Sequence, residues 1–210
     1  MSNKNYHHGA LKEALIYSAR KILTDQGADA LSLRVIASDV GVSHMAPYSH
    51  FKNKKELVQA IAASGFNELT EKMLSDSQAL VKPQDLILAY GVTYIEFAIE
   101  HPQLYRLMLG QVETSGKRSL KADKRHESKT ESTNPIVSIE LEASSNRPFD
   151  LLHNAFLKAL KTDDILVVKA QALGAWSMVH GMAALIIEGH FSIPDTLSVK
   201  DFLALATIKL

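Results

Sequence analysis

The stretch that most constrains this chain is residues 32–51, SLRVIASDVGVSHMAPYSHF. Leu33, Ile36, Ala37 and Val40 recur at helical spacing. Ser32 stands where a side-chain oxygen caps a helix, and Gly41 offers the left-handed backbone that ends one. A short helix therefore stops at Gly41. After only Val42, Ser43 can cap a second short helix to about residue 50, on which His44, Met45 and Tyr48 have no apolar task. Two short helices joined by a Gly-containing turn form a helix-turn-helix, whose second helix lies in a DNA major groove.

The wider chain is compatible with such a reader. Its 210 residues can hold one large or two small domains, and 46% hydrophobic content supports a real core. The formal net charge is zero, which argues against a non-specific nucleic-acid coat protein, but residues 1–62 carry eight Lys/Arg against five Asp/Glu. The basic field is thus local. Without cysteine there are no disulfides, thiolate nucleophiles or Cys-based zinc sites, which suits a reducing cytosol. The opening MSNKNYHHGALKEA lacks a signal-peptide apolar core, so secretion is not expected. The longest uncharged apolar run, residues 170–187, includes Gln171, His180 and glycines and is expected to be a buried core helix and not a membrane span.

Helical spacing predicts a first helix over residues 10–26, closed by Gly27, after an arm in which His7 and His8 have two readings, solvated or touching DNA. A long helix is expected over 54–77, with Gly65 either softening it or sitting in a plain connector. Further helices are expected over 83–100, opened by Pro83, then over 103–109, 149–160, 164–189 and 199–208. Residues 111–147 are rich in Ser, Thr, Lys and Glu and read as a long mobile loop, with PIVSIEL a brief extended piece. A helix apolar all round, as over 164–189, must be covered on all sides, and the surplus of apolar faces calls for a partner.

Gly41-Val42-Ser43, Tyr48-x-His50-Phe51 and Asn53-Lys54-Lys55-Glu56-Leu57 together resemble the signature of the TetR family of bacterial transcription regulators. Further along, HPQLYRLML at 101–109 and Trp176-x-x-x-His180-Gly181 resemble a TetR subgroup with a Trp-x-x-x-His-Gly motif. The resemblance implies an all-α homodimer in the cytoplasm, with a three-helix DNA-binding domain over residues 1–55 and a helical ligand-binding and dimerisation domain over 56–210. It further implies a palindromic operator, released when a small molecule binds, and a repressor by family habit. The last two helices of each subunit would form the dimer interface.

Specific DNA binding needs phosphate anchors that fix register and side chains that select bases. Candidate anchors are Arg34, Ser43, Tyr48, His50 and Lys54. Two carry a second reading: His50 packs with Phe51, and Ser43 only caps its helix. Base reading falls to His44, which can bond a purine edge, and to Met45 and Ala46, which offer apolar contact to a thymine methyl. Pro47, in the first turn, should stiffen this helix without abolishing it.

In the C-terminal part Tyr90, Tyr94, Phe97, Tyr105, Met108, Phe156, Trp176 and His180 could line an apolar ligand cavity or be plain core. The resemblance favours a pocket for a hydrophobic or amphipathic molecule. No HExxH, phosphate-binding Gly loop or GxSxG occurs, so neither catalytic residues, metal ligands nor a cofactor are expected. The rival to a DNA-binding regulator is a helical protein-binding adaptor.

Overall fold

A computed structural model describes residues 8–114 and 135–206. Among them every regular element is helical, as the periodicity requires. The α-helices are α1 (His8–Gln26), α2 (Leu33–Val40), α3 (Lys54–Asp76), α4 (Pro83–Glu100), α5 (Pro102–Thr114), α6 (Pro135–Leu160), α7 (Ile165–Ile187) and α8 (Val199–Ala206). Single 3₁₀ turns lie at Ala28–Ala30 and Ala46–Ser49. The side chains of the His7–His8 arm lie outside the described residues.

Local chemistry sets most boundaries. The Ser32 side chain accepts from the Val35 amide at the start of α2, and Gly41 ends that helix at φ 75°. Gly27 closes α1 at φ 83°, and its amide donates to the Leu23 carbonyl. Pro83 occupies the first turn of α4, where a missing N–H costs nothing.

The described residues form two compact units, one reaching Gly65 and including Gln103–Ala143, the other holding Phe66–Pro102 and the residues from Ser144. A boundary at residue 55 falls inside the first unit. Its core joins Leu15, Ala19 and Leu23 of α1 to Ile36 and Ala37 of α2, to Phe51, and to Leu57 and Ile61 of α3, all essentially inaccessible. Burying each large side chain contributes roughly 1.5–3 kcal/mol. Ser18 Oγ donates to Asp39 Oδ2 across 2.6 Å, fastening α1 to α2. At Gly65 a Cβ would lie 2.6 Å from Met108 Sδ and 3.2 Å from Leu104 Cδ1. That glycine therefore serves the close approach of α5 to α3.

In the second unit α4 packs on α7 and α8. The contact is tight at Gly91, where a Cβ would meet Leu203 Cδ2 at 2.8 Å. Thr93 Oγ1 donates to Asp76 Oδ2 across 3.0 Å, tying α4 to the end of α3. Val168, Ala172, Val179 and Ala183 form the buried face of α7. Cover is one-sided within a single chain: Leu166 is 77% exposed, Leu173 50% and Leu185 49%. By length and composition α7 could cross a membrane, and only 17% of its most apolar window is buried. It is therefore not the fully buried core helix expected.

Two further expectations are corrected. The second helix of the helix-turn-helix is not an α-helix over 43–50 but turns tightening into 3₁₀ at Ala46–Ser49. Pro47 is the reason, because an α-helix would need its amide to donate to the Ser43 carbonyl, and proline has none. The Ala46 amide makes that bond instead, at 2.9 Å. The expected loop over 111–147 is helical at both ends. Gln111 to Thr114 complete α5, and Pro135 to Arg147 belong to α6, with residues 115–134 outside the described residues. The stretch PIVSIEL is helix, not an extended piece, because Val137, Leu141 and Ser144 form a buried stripe. Lys12 Nζ reaches Glu140 Oε2 at 2.9 Å and ties this stretch to α1.

Candidate functional site

The N-terminal surface is built on the turn after α2. The Val42 amide bonds back to the Ala37 carbonyl at 2.9 Å, and the amides of His50 and Phe51 both donate to the Pro47 carbonyl at 2.9 Å. Pro47 is buried and Phe51 fully so, which anchors the inner side of the turn. Ser43, His44, Met45 and Tyr48 are exposed, Met45 by 72% and Tyr48 by 49%. Ala46 and His50 are half-buried, and Arg34 is exposed on α2. The His50 ring lies beside Phe51, with centroids 6.3 Å apart. Ser43 caps nothing with its side chain in the 3₁₀ turn; its carbonyl receives the Ala46 amide.

The run Asn53-Lys54-Lys55-Glu56 divides between two tasks. Asn53 Oδ1 accepts from the Glu56 amide at 3.0 Å, while Glu56 Oε2 accepts from the Lys52 amide at 2.8 Å. These two bonds start α3, in a variant of the capping box whose glutamate reaches the residue before the cap, and they give the fully buried Glu56 carboxylate a partner. Lys54 Nζ donates to the Ala28 carbonyl at 3.1 Å and so pins the Ala28–Ala30 turn, though its side chain stays exposed. An ammonium has further donors to offer. Lys52, and Lys55 of the quoted signature, are further exposed cations in this run.

This surface combines hydroxyl and cationic donors suited to phosphate oxygens with an imidazole and a thioether suited to base edges. A large exposed methionine has no use in packing here.

The second unit encloses a cavity of about 550 Å³, walled by Met73, Tyr90, Phe156, Trp176 and Leu203, with Gln84 and Asp85 as its polar members. Of the eight candidate ligand residues, Tyr90, Phe156 and Trp176 line it. Tyr94, Phe97 and His180 do not; Tyr94 and His180 pack beside Trp176. The Tyr94 ring meets Trp176 edge-on at 5.0 Å, and Tyr94 Oη lies 3.0 Å from His180 Nε2. Phe97 is buried and contacts the ring of His101. Burial lowers the His180 pKa from the usual histidine value, against a smaller opposing effect of its hydrogen bond to the Trp176 backbone. Tyr105 and Met108 belong to the first unit and are buried there.

An α-helix and a following 3₁₀ turn that bares a tyrosine, a histidine and a methionine fit a helix-turn-helix protein, here joined to a second unit whose regular described elements are all helical. The description "Bacterial regulatory proteins, tetR family" matches residues 15–61, and "Tetracyclin repressor-like, C-terminal domain" matches residues 87–207. The chain belongs to the TetR family of bacterial regulatory proteins.

Among curated relatives, the uncharacterized HTH-type transcriptional regulator YobS of Bacillus subtilis (strain 168) is 25% identical over 104 residues, covering 50% of this chain and 54% of the relative. The tetracycline repressor protein class C of Escherichia coli is 36% identical over 74 residues, 35% of this chain and 30% of the relative. The chain thus spans about half the length of the first relative and less of the second. A solved structure of a protein with unknown function from Rhodococcus sp. RHA1 superposes with a TM-score of 0.71 at 27% identity, over 97% of this chain and 95% of that one.

Proposed function

We propose that this chain is a sequence-specific DNA-binding transcriptional regulator, a repressor that leaves a pseudo-palindromic operator when a small hydrophobic ligand binds. The observation that carries this reading is the exposure of Ser43, His44, Met45 and Tyr48 on a turn whose Pro47 and Phe51 are buried. Residues 1–55 bind DNA in this reading. Arg34, Ser43, Tyr48, His50 and Lys54 hold phosphates, and His44, Met45 and Ala46 meet base edges.

One head makes few contacts, so useful affinity requires two heads on half-sites about one helical turn apart. The outer face of α7 supports a homodimer. Ala170, Gly174, Ser177, Gly181 and Ala184 follow one another at three- and four-residue spacing and are all exposed. Leu166, Leu173 and Leu185 flank them. Small residues let two helix backbones approach, and the leucines supply the apolar area that covering this face would remove from water.

The ligand enters the cavity beside Tyr90, Phe156 and Trp176. Membership of the Trp-x-x-x-His-Gly subgroup gives Trp176 and His180 complementary tasks: the indole forms the cavity wall, and the imidazole with Tyr94 holds it there. The reading needs no catalytic residue, metal or cofactor, and a DNA partner places the protein in the cytoplasm.

The test is selection from random duplex DNA, followed by gel shifts on the enriched sequence at rising salt. Enrichment of a two-fold sequence whose affinity falls steeply with salt is expected. Failure to enrich any sequence would leave the protein-binding adaptor as the reading.

A further inference from the structure

Resting on the cavity reading just given, we propose that the ligand is an amphipathic cation, its apolar body inside the cavity and its positive group at Asp85. Among the described residues Asp85 is the one charged member of the cavity wall, next in sequence to Gln84. It lies in the first turn of α4, is exposed, and so marks the solvent side of the cavity. Among the described residues no lysine, arginine or histidine lines the wall. A fatty-acid-like anion would therefore bring its charge beside a carboxylate with no wall cation to meet it. A positive head group would be attracted to Asp85. The remaining wall, including Met73, Phe156 and Leu203, suits an alkyl or aromatic body.

Three probes of equal chain length test this on the full chain: decyltrimethylammonium and decanoate below their micelle concentrations, and decanol below its solubility limit. Trp176 is the sole tryptophan and part of the cavity wall, so its fluorescence reports occupancy directly. Decyltrimethylammonium is expected to bind about tenfold tighter than decanoate, with decanol between them. Asp85→Asn, which keeps an acceptor in the first turn, should bring the cation to the affinity of the alcohol. Equal or tighter decanoate binding, or an unchanged cation affinity in D85N, would overturn the charge preference while leaving the cavity reading intact. Absence of any saturable fluorescence change with all three probes would overturn both.

Discussion

The Tyr94 hydroxyl lies 3.0 Å from Nε2 of His180, and the two rings stack with centroids 4.9 Å apart. The imidazole tautomer decides which of the two donates, and burial of the ring lowers its pKa. This arrangement suits a neutral imidazole. It couples three aromatic side chains on α4 and α7 at the edge of the cavity, because Trp176 touches both partners.

A histidine whose folded pKa is lowered leaves the unfolded state binding more protons below about pH 6.5. The stability this site contributes is complete above that value and declines as pH falls through it toward the lowered folded pKa. Thermal melts between pH 7.5 and 5.5 should show Tm falling with pH, and the fall should be shallower in His180→Gln. An unchanged slope in that variant would assign the pH dependence to other groups.

Gly65→Ala should destabilise the chain although alanine is the better helix former. The new methyl would sit 2.6 Å from Met108 Sδ, and Met108 is itself buried. Overpacking costs about 1–3 kcal/mol against roughly 1 kcal/mol of propensity gained. Denaturant unfolding of the single variants and of Gly65→Ala with Met108→Ala should show coupling, since the second change removes the obstructing sulfur. Additive effects would mean that α5 yields easily.

On the surface proposed to bind DNA the variants should separate by role. Arg34→Ala should weaken binding to all sequences alike and reduce the slope of log affinity against log salt by about one. Tyr48→Phe should also act uniformly. His44→Ala should relax preference at one base position, by about 1–3 kcal/mol. All three residues are exposed, so Tm should hold. A uniform loss in His44→Ala would reassign that side chain to the phosphates.

Gly181→Leu tests the α7 face. A Cβ at Gly181 meets nothing within 4 Å in the single chain, so the variant should fold at least as well as the parent. Between two close helices the same side chain has no room. Sedimentation should show a dimer for the parent and at least tenfold weaker association for the variant. An equally tight dimer would put the interface elsewhere.

What the sequence determined by itself is local. The Ser32 cap, the left-handed Gly41, the opening prolines of α4 and α5, and the long stripe of α3 each act over a few residues, so they could be read in order along the chain. The exposure of Met45 and Tyr48 was legible for the same reason, since neither fits an apolar stripe.

Tertiary structure decided the rest. Val137, Leu141, Ser144, Pro148, Leu152 and Ala155 form one buried stripe along α6. Its serine and proline hid it from a hydrophobicity pattern. That helix is held by packing and by the Lys12–Glu140 pair, partners 128 positions apart in sequence. The same holds for Tyr90, Phe156 and Trp176. Nothing local distinguishes a side chain that walls a cavity from one that fills a core, because the difference lies in the atoms on its far side, which distant residues supply or withhold.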